Sequence, residues 1–531
     1  MLEIIAIQVK PLSVLSPLST KFCLGKIRSE ELRVFTQIKL SNFKGFAESH
    51  NLDLSKLNLF YGANSAGKSA ILEALLLMSQ SIRRSSALQE GSEEPLLFNG
   101  SHVDLGSFQV SINGHNVNKT LSLGVSYQIR RKVDDDAFLD DIQHFDVDVT
   151  WNHELKAQVV EKCVYRIDSS PENTILFKKS QNKNGDFSLR PVRADGFQNI
   201  VEIVSNFTAW RLPEQENIQI DIGEILLLAN YENWSFLPGI PPITSRPFPT
   251  LKSLTSRHGK DDDDSGVEEE EVVDPEVRSE ILRNLFEDMA LRQWRTMLEE
   301  RYRETFEKLS TIRYLGPMRK PPTRVERLAD NSSTYVGKEG DGVASILHRN
   351  PAIVTKINNY LRELAMPYQL IVRKLDTDGF GTTGEILAIQ LVDLRSNVVL
   401  SLEDVGFGVS QILPVLAQLA ISKGDLILIE QPELHLHPAV QANLADLLID
   451  GTYEQEPNQF FIETHSEHLM LRLQRRIREG RLSAEDVSVF FIDASNNNGS
   501  IVRKLDLDKH GEFMADWPGG FFPERLDELL S

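Results

Sequence analysis

Apolar and polar residues alternate from Val34 to Leu40, a period of two that predicts a strand with one buried face. Asn42-Phe43-Lys44-Gly45 then reads as a turn, and the short apolar run Leu57–Tyr61 as a strand. Ser69–Met78 is rich in Ala and Leu and predicts a helix. From about residue 110 the texture changes. Short alternating runs such as Leu121–Ile129 and Cys163–Ile167 are separated by Asn, Asp and Gly, which predicts an antiparallel β region that fades toward residue 245. Leu282, Leu285, Phe286 and Met289 stand at helical spacing within the charged stretch Pro275–Ile312, which predicts a packed helical insert or a partner-binding arm. Beyond residue 365 strands and helices alternate. Ile386–Val392, Leu426–Ile429, Phe460–Ile462 and Val487–Ile492 read as strands; Val409–Ile421, Ala439–Ile449 and Leu469–Ile477 read as helices. That alternation predicts an α/β sheet of parallel strands.

Composition narrows the class. The 531 residues are 41% hydrophobic, enough to bury cores without covalent staples. Cys23 and Cys163 are the only cysteines, which points away from a disulfide framework and toward a reducing, cytoplasmic setting. No apolar run approaches the ~20 residues that span a bilayer. Residues 1–20 lack a basic start and are interrupted by Pro11 and Pro17, so no signal peptide is expected. The net charge of −20 repels DNA phosphate, which excludes a sequence-independent DNA coater while leaving room for a local basic strip. The acidic block 260–271 reads as a solvated loop. The expected division is an N-terminal arm, 1–33; a first α/β part, 34–109; a β-rich insert, 110–250; an acidic loop with a helical insert, 251–364; and a second α/β part, 365–531.

Four motifs carry chemistry. Gly62-Ala63-Asn64-Ser65-Ala66-Gly67-Lys68-Ser69 lies between a predicted strand and a predicted helix, the setting a P-loop requires. Backbone N–H groups of Asn64, Ser65, Ala66 and Gly67 would wrap phosphates, Lys68 would reach the β- and γ-phosphates of ATP, and the Ser69 hydroxyl would ligate Mg²⁺. Leu426-Ile427-Leu428-Ile429-Glu430 is a buried strand ending in a carboxylate, the Walker B pattern, which makes Glu430 a metal-shell acid. Gly406-Phe407-Gly408-Val409-Ser410-Gln411 runs into a helix and offers a second phosphate-sensing surface through Gly406, Gly408, Ser410 and Gln411. Thr464-His465-Ser466 follows a strand and can set His465 against a γ-phosphate or the attacking water.

The order of these motifs resembles the ABC-type ATPases, and within them the RecF/SMC-like and OLD-like AAA family ATPases of prokaryotes. Glu430-Gln431-Pro432-Glu433 with its Leu434-His435-Leu436-His437-Pro438 tail, Tyr314-Leu315-Gly316-Pro317 and Trp517-Pro518-Gly519-Gly520-Phe521-Phe522 carry the same resemblance. It covers about 34–109 and 310–531. It implies a P-loop NTPase fold with a mixed sheet, and a head-to-head dimer in which the signature of one protomer closes over ATP held by another. It also implies a partner effector such as a separate nuclease, in antiviral defence, or alternatively a DNA-repair ATPase that clamps nucleic acid. One departure matters. Related ATPases carry a second acid after the Walker B acid, and this chain has Gln431 there. An amide orients water but takes no proton, so slow hydrolysis is expected, with Glu433 or His465 as candidate bases.

Other clusters read more plainly. His435 and His437, with His465 and His468 nearby, are of the residue type that binds zinc, but the resemblance implies a dimer-contact loop at His435–Pro438 instead. Asp506 and Asp508 read as charges at a strand end, because residues 467–531 are too few for an added nuclease. Arg472, Arg475, Arg476, Arg478 and Arg481 are the best local candidates for DNA or partner contact, weighed against a solvated face. Arg313, Arg319, Lys320 and Arg324 surround Gly316-Pro317 and are expected close to the nucleotide.

Overall fold

The computed structural model describes residues 34–86, 95–132, 138–154, 156–168, 175–181, 187–194, 301–328, 335–375, 386–495 and 499–518. The predicted N-terminal arm, the acidic block and most of the Pro275–Ile312 helix lie outside them. The strands, in chain order, are β1 (Phe35–Ser41), β2 (His50–Asp53), β3 (Leu57–Gly62), β4 (Leu121–Lys132), β5 (Phe138–Asn152), β6 (Ala157–Ile167), β7 (Ile175–Gln181), β8 (Phe187–Ala194) and β9 (Ile312–Leu315). There follow β10 (Glu326–Arg327), β11 (Tyr368–Leu375), β12 (Ile386–Asp393), β13 (Val398–Ser401), β14 (Leu426–Glu430), β15 (Gln459–Glu463), β16 (Val487–Ser495) and β17 (Gly499–Leu505).

They form three sheets. The central one has the order β17-β16-β3-β15-β14-β9, with β16, β3, β15, β14 and β9 parallel and β17 antiparallel at the edge. The fold is thus the expected α/β P-loop arrangement with a mixed sheet. β3 and β14 are mostly apolar because both faces are covered; Asn58, the polar exception inside β3, is buried and donates to the Ser55 and Phe460 carbonyls. Leu57, Leu59 and Tyr61 enter one core with Ile427 and Ile429, while Phe60 enters the other with Leu426 and Leu428.

The second sheet, β2-β1-β4-β5-β6-β7-β8, is wholly antiparallel. The β-rich stretch after residue 110 therefore continues a sheet begun before the P-loop: Ile38 pairs with Val125. Helix Lys68–Ser86 packs into the core that this sheet shares with the central one.

Two expectations need correction. Ile386–Asp393 does not join the parallel sheet. It pairs antiparallel with β11 and β13 in a third sheet, because a tight turn at Asn397, with φ 56°, folds the chain directly back. The helix expected through Ile312 also stops short: residues 301–310 are helical, but Ile312–Leu315 is β9, pairing in parallel with β14. Its buried apolar side chains fit either element, and the neighbouring strand decided. Among the described residues, no helix is long and apolar enough to cross a membrane.

Candidate functional site

The site forms at the carboxyl edge of the central sheet, where ligands bind in open α/β folds. β3 ends in Gly62, and the chain turns through exposed Ala63, Asn64 and Ser65 into helix Lys68–Ser86. Ser65 has φ 61° and Gly67 φ 110°. A Cβ on Gly67 would lie 2.9 Å from the Ser500 hydroxyl and 3.3 Å from the Phe46 ring, so both conformation and space require glycine there. Lys68 is buried, and its ammonium donates to the carbonyls of Gly62 and Ala63 at 3.1 and 3.0 Å. Burial pulls its pKa down, and Glu463, Glu430 and Glu433 act against that shift.

Two carboxylates meet this loop. Glu430 ends β14 and Glu463 ends β15; they are register partners on adjacent parallel strands, and Glu463 is the partner of Phe60 on β3. The Ser69 hydroxyl donates to Glu463 Oε2 at 2.7 Å, and Lys68 Nζ lies 3.9 Å from Glu463 Oε1. Glu430 Oε1 instead accepts the Tyr314 hydroxyl at 2.6 Å. Burial pushes the Glu430 carboxyl up to about 7, the Tyr314 hydrogen bond working against it. Burial also raises the pKa of Glu463, with Ser69 and Lys68 opposing. Ser69, Glu430 and Glu463 bring hard oxygen donors to one edge, a set that suits Mg²⁺ shared with phosphates. No group of three or more His, Cys, Asp or Glu forms a self-sufficient metal cage among the described residues.

The loop after Glu430 is held to the Thr464-His465-Ser466 turn. Gln431, at φ 46°, donates its N–H to the Glu463 carbonyl at 2.7 Å. Glu433 Oε1 accepts the His465 N–H at 2.7 Å. Arg319, only 5% exposed, donates to the Glu430 carbonyl at 3.0 Å, and its Nε and Nη1 have no hydrogen-bond partner. Burial lowers its pKa to about 10 against the pull of Glu433 and Glu430. His465 is shifted toward its neutral form, first by burial and then by Lys68. Gln431, Glu433, His435, His465 and His468 line one cavity of about 450 Å³.

A family model described as an AAA ATPase domain matches residues 35–470. The chain belongs to that AAA ATPase domain family. No curated protein matches it. Among solved structures it is similar to an SMC head domain from Pyrococcus furiosus, bound to the C-terminal domain of ScpA, at 14% identity and TM-score 0.36, covering 94% of this chain and 100% of that one. It is also similar to the SMC head domain of Thermotoga maritima, at 9% identity and TM-score 0.35, covering 89% and 99%.

In this AAA ATPase the four motifs divide into two groups. Glu430, Gln431, Glu433 and His465 are interlinked beside Lys68 and Ser69, through the contacts above. The Gly406–Gln411 segment stands at the start of helix Phe407–Ile421. Gly406 and Phe407 are exposed, while Ser410 and Gln411 are buried and the Ser410 hydroxyl bonds the Phe407 carbonyl at 2.9 Å. The Phe407 ring lies 5.9 Å from that of His435, so this segment abuts the loop that follows Glu430.

Basic residues sort differently from expectation. Of the cluster around Gly316-Pro317, Arg319 reaches the acidic edge, but Arg313 pairs with Asp425, Lys320 with Glu326 and Arg324 with Glu403 and Asp404. The five arginines from Arg472 to Arg481 are paired: Arg472 and Arg476 with Asp446, Arg475 with Glu479, Arg478 with Glu512 and Arg481 with Asp450. Asp508 accepts the N–H groups of His510 and Glu512 and caps a turn.

Glu463 is the residue that sequence reading passed over. Its signal was present: Phe460-Phe461-Ile462-Glu463 repeats the apolar-run-then-carboxylate pattern of β14.

Proposed function

We propose that this ATPase binds ATP and Mg²⁺ at the P-loop and acts as a slowly hydrolysing, nucleotide-gated switch. The observation that carries the reading is the convergence of Lys68, Ser69, Glu430 and Glu463 on one sheet edge at a helix N-terminus. Lys68 neutralises phosphate charge, and the loop N–H groups orient it. Mg²⁺, held by Ser69 and the Glu430 side of the site, would supply charge neutralisation at the transferring phosphoryl group. Gln431 positions water without removing its proton. Glu433 acts by fixing the His465 turn, since one of its oxygens is occupied there. His465, kept toward neutrality, remains as the candidate proton acceptor.

The output we assign is self-association. Gly406 and Phe407 offer an exposed helix start to a second copy's nucleotide, half-buried Gly408 seats that start against the His435 loop, and buried Ser410 braces it from within. A separate effector protein in antiviral defence is the setting that the resemblance to prokaryotic relatives supports. The pairing of every arginine from Arg472 to Arg481, together with the net charge of −20, weighs against a nucleic-acid clamp.

Particle size with and without ATP–Mg²⁺ tests this. Wild type is expected to assemble with nucleotide, while Lys68→Ala and Ser410→Arg stay unassembled. Assembly indifferent to both substitutions overturns nucleotide gating.

A further inference from the structure

Glu430 and Glu463 sit at the ends of neighbouring parallel strands in register, so their Cα atoms are about 4.8 Å apart. Their side chains nevertheless address different partners. Glu430 Oε1 takes the Tyr314 hydroxyl at 2.6 Å, and its backbone carbonyl takes Arg319 at 3.0 Å. Glu463 takes the Ser69 hydroxyl at 2.7 Å and faces Lys68 at 3.9 Å.

A hydroxyl that ligates a cation through its lone pair keeps its proton, and that proton needs an acceptor pointing away from the metal. Of the two acids, Glu463 fills that place. The hydrogen bond fixes the rotamer of Ser69 and presents its oxygen outward from the first turn of helix Lys68–Ser86. The carboxylate also places negative charge beside the ammonium of Lys68. Gln431 removes the consecutive second acid from the Walker B strand, and the neighbouring strand supplies a carboxylate one position across the sheet.

We propose that Glu463 is the positioning residue of the cation site, acting through Ser69, and that the two acids of this ATPase are contributed by two strands instead of one. The proposal rests on the reading that the P-loop holds ATP with a divalent cation.

Mn²⁺ affinity of the ATP-bound protein, read by the electron paramagnetic resonance signal of free and bound metal, tests it. ATP affinity in the presence of a chelator is measured alongside. Glu463→Gln is expected to weaken Mn²⁺ binding about ten-fold or more, a larger factor than any loss of metal-free ATP affinity. Ser69→Ala is expected to weaken Mn²⁺ binding similarly, and the double variant no further, because both act on one ligand. Glu463→Asp should fall between wild type and Glu463→Gln, and it carries the test if the amide variant does not fold. Unchanged Mn²⁺ affinity in Glu463→Gln, or in Glu463→Asp if only that variant folds, overturns the proposal; so does full additivity with Ser69→Ala. Wild-type protein that takes up no ATP at all removes the ATP reading beneath it, a result distinct from either.

Discussion

Glu433 Oε1 accepts the backbone N–H of His465 at 2.7 Å, joining residues 32 positions apart and locking the loop after β14 to the turn after β15. Glu433 also helps to offset the charge of the buried guanidinium of Arg319. The loop and the turn are therefore one mechanical unit.

Removing that carboxylate should unsettle the unit. Glu433→Ala leaves Arg319 buried with its charge less compensated, and a loss of about 3 kcal/mol in unfolding free energy is expected. Glu433→Gln retains an acceptor for the His465 N–H and should cost clearly less. Urea titrations of the two variants decide it, and equal losses would show that the charge, not the hydrogen bond, matters.

Restoring an acid after Glu430 should speed the chemistry. Gln431→Glu is expected to raise ATP turnover by about 10²-fold, the range of a positioned general base. Steady-state phosphate release measures this. Wild-type turnover well above ~1 s⁻¹ that survives Gln431→Ala would refute slow switching.

Gly408 meets the loop after β14 closely: a Cβ there would lie 2.6 Å from the His435 carbonyl oxygen. Gly408→Ala should therefore shift the start of helix Phe407–Ile421. We expect ATP binding within about two-fold of wild type and nucleotide-dependent assembly reduced about ten-fold, some 1.4 kcal/mol. Calorimetry and light scattering separate the two effects. A variant that assembles normally would place the dimer contact elsewhere.

Asp446 binds both Arg472 and Arg476, and although burial alone raises its pKa, the two arginines hold it below the ordinary carboxylate value. A depressed folded-state pKa means stability that is present above the unfolded-state value and lost as pH falls through the folded one. Asp446→Asn should thus destabilise by about 1–2 kcal/mol at neutral pH, and the gap to wild type should narrow below pH 4 as the aspartate protonates. Thermal melts across that range provide the check.

Much of the central sheet was legible because its cause is local. A strand covered on both faces must be mostly apolar, and Leu57–Tyr61, broken only by Asn58, and Leu426–Ile429 are. The alternation in Leu121–Ile129 is equally local, and β4 spans Leu121–Lys132. Ile386–Asp393 misled because an apolar run does not state its partner. The short turn through Asn397, not the strand itself, assigned it to another sheet. Ile312–Leu315 was hidden in the same way at the end of a helical stretch.

Chain order alone determined that a glycine-bearing loop would open a helix with Lys68 and Ser69 in its first turn, since φ > 0 at Gly67 and amide-rich turns are properties of a few consecutive residues. It also determined that an amide, Gln431, directly follows Glu430. Which carboxylate faces Ser69 was decided by tertiary structure. β15 lies between β3 and β14, so Glu463 comes next to the loop and Glu430 one strand further out, against Tyr314. Strand order is a global result of packing two apolar faces at once, and no local pattern encodes it.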